Sequence, residues 1–275
     1  MAVQGADTQI DVHDALSFLS ESQDEKKLLS SLDSLTDHSH NLKDGVLISE
    51  PENFNNLVDL ATSKSKYTNN VHEMASRVIA QALRHNPKAL SNIDAGEVLP
   101  KFLNALKTED NSVLQKRFLG VISSVVQTDS NSLIFKQLGG QDLLLDSFSK
   151  LQEDSKVRAL EILDDVKRHA LVKRDEDNDN AKIFQTIQRS LANKEVQDDH
   201  ALEQIFDRAV ALKKENKQLK SDPSFMEWLS EEVQTRKLAK RDDETNDDLH
   251  QKLLEARHVV FGNPNALRKA MADEL

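Results

Sequence analysis

The chain has 275 residues and a formal net charge of −11. That balance disfavours nucleic acid or an anionic membrane as a partner, because both need a positive face, and no apolar run approaches the roughly 18–20 residues of a membrane span. Apolar residues make up 38%, with only 7 Gly and 5 Pro; a compact globule carries about 45–50% apolar residues, and turn-rich sheets need more Gly and Pro, so the composition points to an all-α chain with much surface per residue.

The start, "MAVQGADTQI", has no basic segment and no apolar h-region, so no signal peptide is present as written. Residues 1–36 are polar with a patchy apolar pattern (Leu16, Leu19, Leu28, Leu29, Leu32, Leu35). They read as a partly ordered helical segment of one or two short amphipathic helices. From about residue 37 the helical signals strengthen, and Pro51 stands at a plausible first helical position.

Residues 37–172 hold a recurring unit: a long apolar-striped helix, a short helix, then a medium helix with a polar end. The long helices are "HEMASRVIAQALRHNP", "NSVLQKRFLGVISSVVQTD" and "SKVRALEILDDVKRHALVK". Gln81, Ser124 and Asp165 mark a spacing of about 42 residues, within the armadillo/HEAT range. Asn86–Pro87 stops the first long helix, since the residue before Pro avoids helical angles, and Gly139–Gly140 supplies a sharp turn. One such unit cannot bury its stripe alone; stacking on neighbours does so. The expected fold is therefore an armadillo-like helical solenoid with helical N- and C-terminal capping segments.

The run "KRDEDNDN" (173–180) reads as a linker or helix break, and "RDDETNDD" as a second. Residues 173–275 form a C-terminal helical capping region, with Asp222 and Pro223 opening one helix. Trp228, the only Trp, is expected in the core with Phe225, Met226 and Leu229.

Chemistry has no anchor in this sequence. "HEMAS" carries Ser76 where a zinc protease needs its second His. His38 and His40, two apart on a helix, point away from each other. Gly139–Gly140 lacks the residues of a phosphate loop, no Gly-x-Ser-x-Gly occurs, and the carboxylates are spread over surfaces. We expect no catalytic residue, no metal and no cofactor. The chain ends Ala272, Asp273, Glu274, Leu275, three letters of four from the tetrapeptides read by the endoplasmic-reticulum retrieval receptor. Retrieval requires entry into the lumen, so a leader is expected to be absent from this chain. The absence of cysteine suits a lumenal protein without disulfides and is equally open to a cytosolic one.

"MASRVIAQALRHNP", "LQKRFLGVI", "FMEWL" and above all "EARHVVFGNPNALRKAMADEL" resemble the fungal Sil/Sls-type nucleotide exchange factors of the endoplasmic reticulum, over roughly residues 45–275. The resemblance implies binding to the ATPase domain of BiP, the lumenal seventy-kilodalton heat-shock chaperone, faster ADP release, and so support of protein translocation and folding. It implies a curved armadillo-like stack whose long helices line a concave groove. The groove-facing candidates are Arg77, Gln81 and Arg84 on the first long helix, then Lys116, Arg117, Gly120 and Ser124, then Arg158, Glu161 and Asp165. A monomer is expected, because capping segments flank the repeats. Two other readings stay open: a cytosolic exchange factor of the same superfamily, and an armadillo adaptor without exchange activity. Peptide-holding adaptors carry a groove ladder of Asn and Trp, which these positions lack.

Overall fold

The structure is a computed structural model that describes residues 10–21, 24–64, 66–169, 176–239 and 248–262. Among the described residues it is all-α. In chain order the helices are α1 (Val12–Glu21), α2 (Glu25–His38), α3 (Leu42–Ile48), α4 (Pro51–Thr62), α5 (Asn69–Leu83), α6 (Pro87–Asn92), α7 (Ala95–Lys107) and α8 (Ser112–Val125). There follow α9 (Asp129–Gln137), α10 (Gly140–Ser147), a 3-10 turn (Phe148–Lys150), α11 (Glu153–His169), α12 (Glu176–Ala192), α13 (Asp199–Glu215), α14 (Pro223–Ala239) and α15 (Asp248–Val259). Two compact units result: residues 1–147 with 161–171, and residues 148–160 with 172–275. Helix α11 thus gives its first half to the second unit and its second half to the first.

Local chemistry explains many helix ends. Asp24, Asn41, Asp94 and Asn111 are N-caps whose side chains accept from backbone N–H groups of the first turn. Pro51 opens α4, and Gly139 takes a positive φ of 68° between α9 and α10. Asn86 does more than end α5. It caps α6 through the Ala89 N–H and donates from Nδ2 to the Leu42 carbonyl at 3.0 Å. The acidic run after residue 173 is not a break throughout, because Glu176–Asn180 already belong to α12. A stretch rich in Asp and Glu suits the start of a helix, whose N-terminal end carries partial positive charge.

The first unit is organised around α5, which packs on α2, α3, α4 and α8. Its apolar stripe behaves as its period demands: Val78, Ile79, Ala82 and Leu83 are buried, and Met74 is half-buried. On α8 the set Leu114, Phe118, Leu119, Ile122 and Val126 is buried throughout. The repeat spacing is visible in the polar links. Ser39 to Gln81, Asn86 to Leu42, Asn92 to Ser49, Arg117 to Glu73 and Ser124 to Ala80 all join residues 42–44 apart. Helices α5 and α8, and α3 and α6, therefore meet one repeat apart, and α2 takes part through the Thr68 hydroxyl and Glu25, 43 apart.

In the second unit α12 packs on α13 and α14, and α15 packs on α14. Its core is aromatic. Phe225 and Trp228 stack at 5.7 Å, and Phe261 meets Phe225 edge-on at 5.2 Å and Phe206 at 5.9 Å. Trp228 is buried there, as its spacing with Phe225 and Leu229 predicts. Helix α11 departs from its expected stripe at one position: Val157 is half-buried while Lys156 is 2% exposed. The Lys156 ammonium donates to the Leu151 carbonyl at 2.7 Å, lies over the Phe148 ring and faces Glu195 at 3.6 Å.

Candidate functional site

The expected binding face is made by the outward sides of α5 and α8 and the second half of α11. Arg77 and Arg84 are exposed on α5 and its C-cap, Lys116 on α8, and Glu161 on α11. These four side chains stand where a partner can reach them.

Other members of the expected set are used differently. Ser124 is buried, and its hydroxyl donates to the Ala80 carbonyl on α5 at 3.0 Å. Gly120 lies beside Ala80, where an added Cβ would sit 4.0 Å from the Ala80 Cβ. The Gln81 amide oxygen accepts from the Ser39 hydroxyl at 2.7 Å, and Arg117 pairs with Glu73 of α5 at 2.6 Å. The structure thus corrects the orientation expected for Ser124, and it ties Gln81 and Arg117 to neighbouring helices. The physical reason is the repeat itself: positions in matching register on successive helices meet each other. Arg158 is half-buried and belongs to the second unit. The tail Ala272–Leu275 lies outside the described residues.

One helical turn beyond this column the first unit opens a cavity of about 510 Å³. Pro87 and Leu90 give it an apolar wall, Gln127 and Thr128 a polar one, and Asp165 and His169 close it from α11. His85 and Asn86 complete the lining. His85 has a positive φ of 54°, and its N–H donates to the Gln127 side chain at 3.1 Å. The His169 Nδ1 lies 3.0 Å from an Asp129 carboxylate oxygen, and Arg168 pairs with Asp165. Of this lining only Asp165 stood among the expected groove residues. The overlooked signal is register: His85 and Gln127 are 42 residues apart and His169 follows after an equal step, one turn past the Gln81–Ser124–Asp165 column.

The histidine motifs are structural. The buried His72 bonds through Nδ1 to the Leu60 carbonyl at 2.8 Å, and His38 spans Asp44 and the Ile10 carbonyl. Among the described residues no group of three or more His, Asp or Glu could hold a metal ion, and no helix is long and apolar enough to cross a membrane.

Comparison with known proteins places this geometry. The family model described as "Nucleotide exchange factor SIL1" matches residues 7–275. The chain belongs to the SIL1 family. Proteins named Nucleotide exchange factor SIL1 are 37% identical in Candida albicans, over 94% of this chain and 65% of that protein, and 33% identical in Debaryomyces hansenii, over 97% and 68%. The Saccharomyces cerevisiae protein of that name is 26% identical over 92% of this chain and 66% of its own length. The chain thus spans about two thirds of the length of these SIL1 relatives. Two crystal structures of engineered proteins are also similar. One has a TM-score of 0.55 at 19% identity, covering 90% of this chain and 99% of the other; the second has 0.50 at 17%, covering 80% and 93%. At these identities the likeness concerns the fold alone. The first unit thus carries exposed cations on α5, its C-cap and α8, an exposed carboxylate on α11, and a cavity one turn on.

Proposed function

We propose that this chain is a nucleotide exchange factor for the ATPase domain of the endoplasmic-reticulum heat-shock-70 chaperone BiP, and that it speeds ADP release. The observation that carries the reading is the SIL1 family match across residues 7–275. The lumenal setting and the partner draw support from the family resemblance. The fold proposed for the repeats is armadillo-like, and the contact face comprises Arg77, Arg84, Lys116, Glu161 and Asp165.

The chain performs no bond chemistry in this role. An exchange factor works by binding the open nucleotide cleft better than the closed one. A hundredfold faster release requires about 2.7 kcal/mol of preferential binding to the opening transition state. Linkage makes the effect reciprocal, so nucleotide on the chaperone weakens the exchange factor by the same factor.

The test is stopped-flow release of a fluorescent ADP analogue from BiP, chased by ATP, with and without this protein. Acceleration that saturates with concentration is the expected result. Binding without acceleration would convert the chain into an adaptor.

A further inference from the structure

We propose that the cavity at the ends of α5, α8 and α11 receives one basic side chain, an arginine or lysine, from the partner protein. The inference rests on the exchange-factor reading for the identity of the partner, but the chemistry of the cavity is its own.

Three observations carry it. The first is charge: Asp165 brings a carboxylate to the lining, and among the described residues no lysine or arginine lines the cavity. A second carboxylate, Asp129, stands behind His169. The second is shape. A long cationic side chain has an apolar stem and a charged head; the same lining offers apolar Pro87 and Leu90 to the stem and Asp165 to the head. The third is an internal stand-in. Arg168 already sets a guanidinium against Asp165, three residues away on the same helix, and its own side chain is 73% exposed. An ion pair this exposed contributes little. An incoming guanidinium can therefore replace it at small cost while burying its own stem.

His85 occupies the left-handed region, where a non-glycine residue is strained and is kept only when its surroundings impose it. Gln127 imposes it by accepting the His85 N–H. The Asp129 carboxylate in turn orients the His169 imidazole. The His85 backbone and the His169 ring thus each have a polar partner at the mouth, and arginine is over-represented among residues that anchor protein interfaces.

The experiment has two arms. In the first, affinity for the BiP ATPase domain is measured against salt for the unmodified protein, Asp165→Asn, Asp165→Lys, and Asp146→Asn. Asp146 is exposed on α10 away from the cavity, so Asp146→Asn matches the net-charge change of Asp165→Asn. Asp165→Asn is expected to weaken binding about tenfold and to flatten the salt dependence, with Asp165→Lys weaker still and Asp146→Asn unchanged. In the second arm, N-acetyl-arginine amide is titrated while the His85 and His169 ring resonances are followed by NMR. Saturable shifts are expected in the unmodified protein but not in Asp165→Asn, and N-acetyl-glutamate amide should be silent. If the unmodified protein binds BiP and accelerates release while Asp165→Asn keeps its affinity within about twofold, the cavity is not the anchor and the exchange reading stands. If the unmodified protein does not bind BiP, that reading falls, and the arginine titration decides the cavity: no saturable shift at either ring overturns it.

Discussion

Lys156 shows how one side chain escapes a pattern. A hydrophobic period places Val157 inward, yet the buried neighbour is Lys156, because the carbonyls of Leu151 and Ser149 need a donor there. Burial pushes its ammonium below the ordinary lysine value of 10.5, with Glu195 pulling the other way. The unfolded chain therefore holds this proton over a window ending near 10.5 in which the folded chain has released it. Stability conferred at this site rises with pH through that window and is lowest below it. Lys156→Met removes the titration, so the stability difference, native minus variant, should grow as pH rises toward 10.5 in urea unfolding. A difference flat across that range would sink this account. Ser124 carries a similar lesson with the opposite expectation: a hydroxyl on a helix reads as solvated, but here it serves as a link to the Ala80 carbonyl.

Between elements, the closest approach decides what is tolerated. Gly45 of α3 faces α5, and a Cβ added there would lie 2.9 Å from the Ala82 carbonyl oxygen and 2.7 Å from the Asn86 side chain. Backbone cannot yield as a flexible side chain can, so Gly45→Ala should destabilise by about 1–3 kcal/mol. Gly120 on α8 has only the Ala80 Cβ nearby, at ordinary contact distance. Gly120→Ala should be neutral or stabilising by up to about 1 kcal/mol, since glycine is a poor helix former. Chemical denaturation of the two variants checks the contrast. Hydrogen exchange adds a spatial test: Gly45→Ala should lose protection first in α3 and α5, because repeats interact with nearest neighbours. Much of this level was legible beforehand. Asn86–Pro87, Pro51 and Gly139 each mark a boundary through backbone chemistry that acts within a few residues. The acidic run at 176–180 misled because its composition suits both a linker and a helix start, and local chemistry does not choose between them.

At the scale of the whole molecule, charge is the lever on association. The chain is acidic, with −11 overall, yet Arg77 on α5, Arg84 at its C-cap and Lys116 on α8 are exposed, as is Glu161 on α11. Reversing Arg77→Glu together with Glu161→Lys leaves the net charge unchanged and moves only its distribution. The double variant should bind the chaperone about tenfold or more weakly while circular dichroism stays helical. Unchanged affinity would remove this face from the mechanism.

The sequence by itself determined the all-α class, the repeat spacing near 42 residues, most of the apolar stripes and the family, because these depend on periodicity and on motifs within single helices. Only the tertiary structure decided which polar residues are surface and which are joints. Gln81 lies one turn from Arg77 and Arg117 stands next to Lys116, and nothing local marks which of them, or Ser124, is a joint. The neighbouring helix one repeat away does so, by supplying the Ser39 hydroxyl, the Glu73 carboxylate and the Ala80 carbonyl. The same holds for the cavity: His85, Gln127 and His169 lie far apart along the chain and meet only because stacked repeats bring equal registers together.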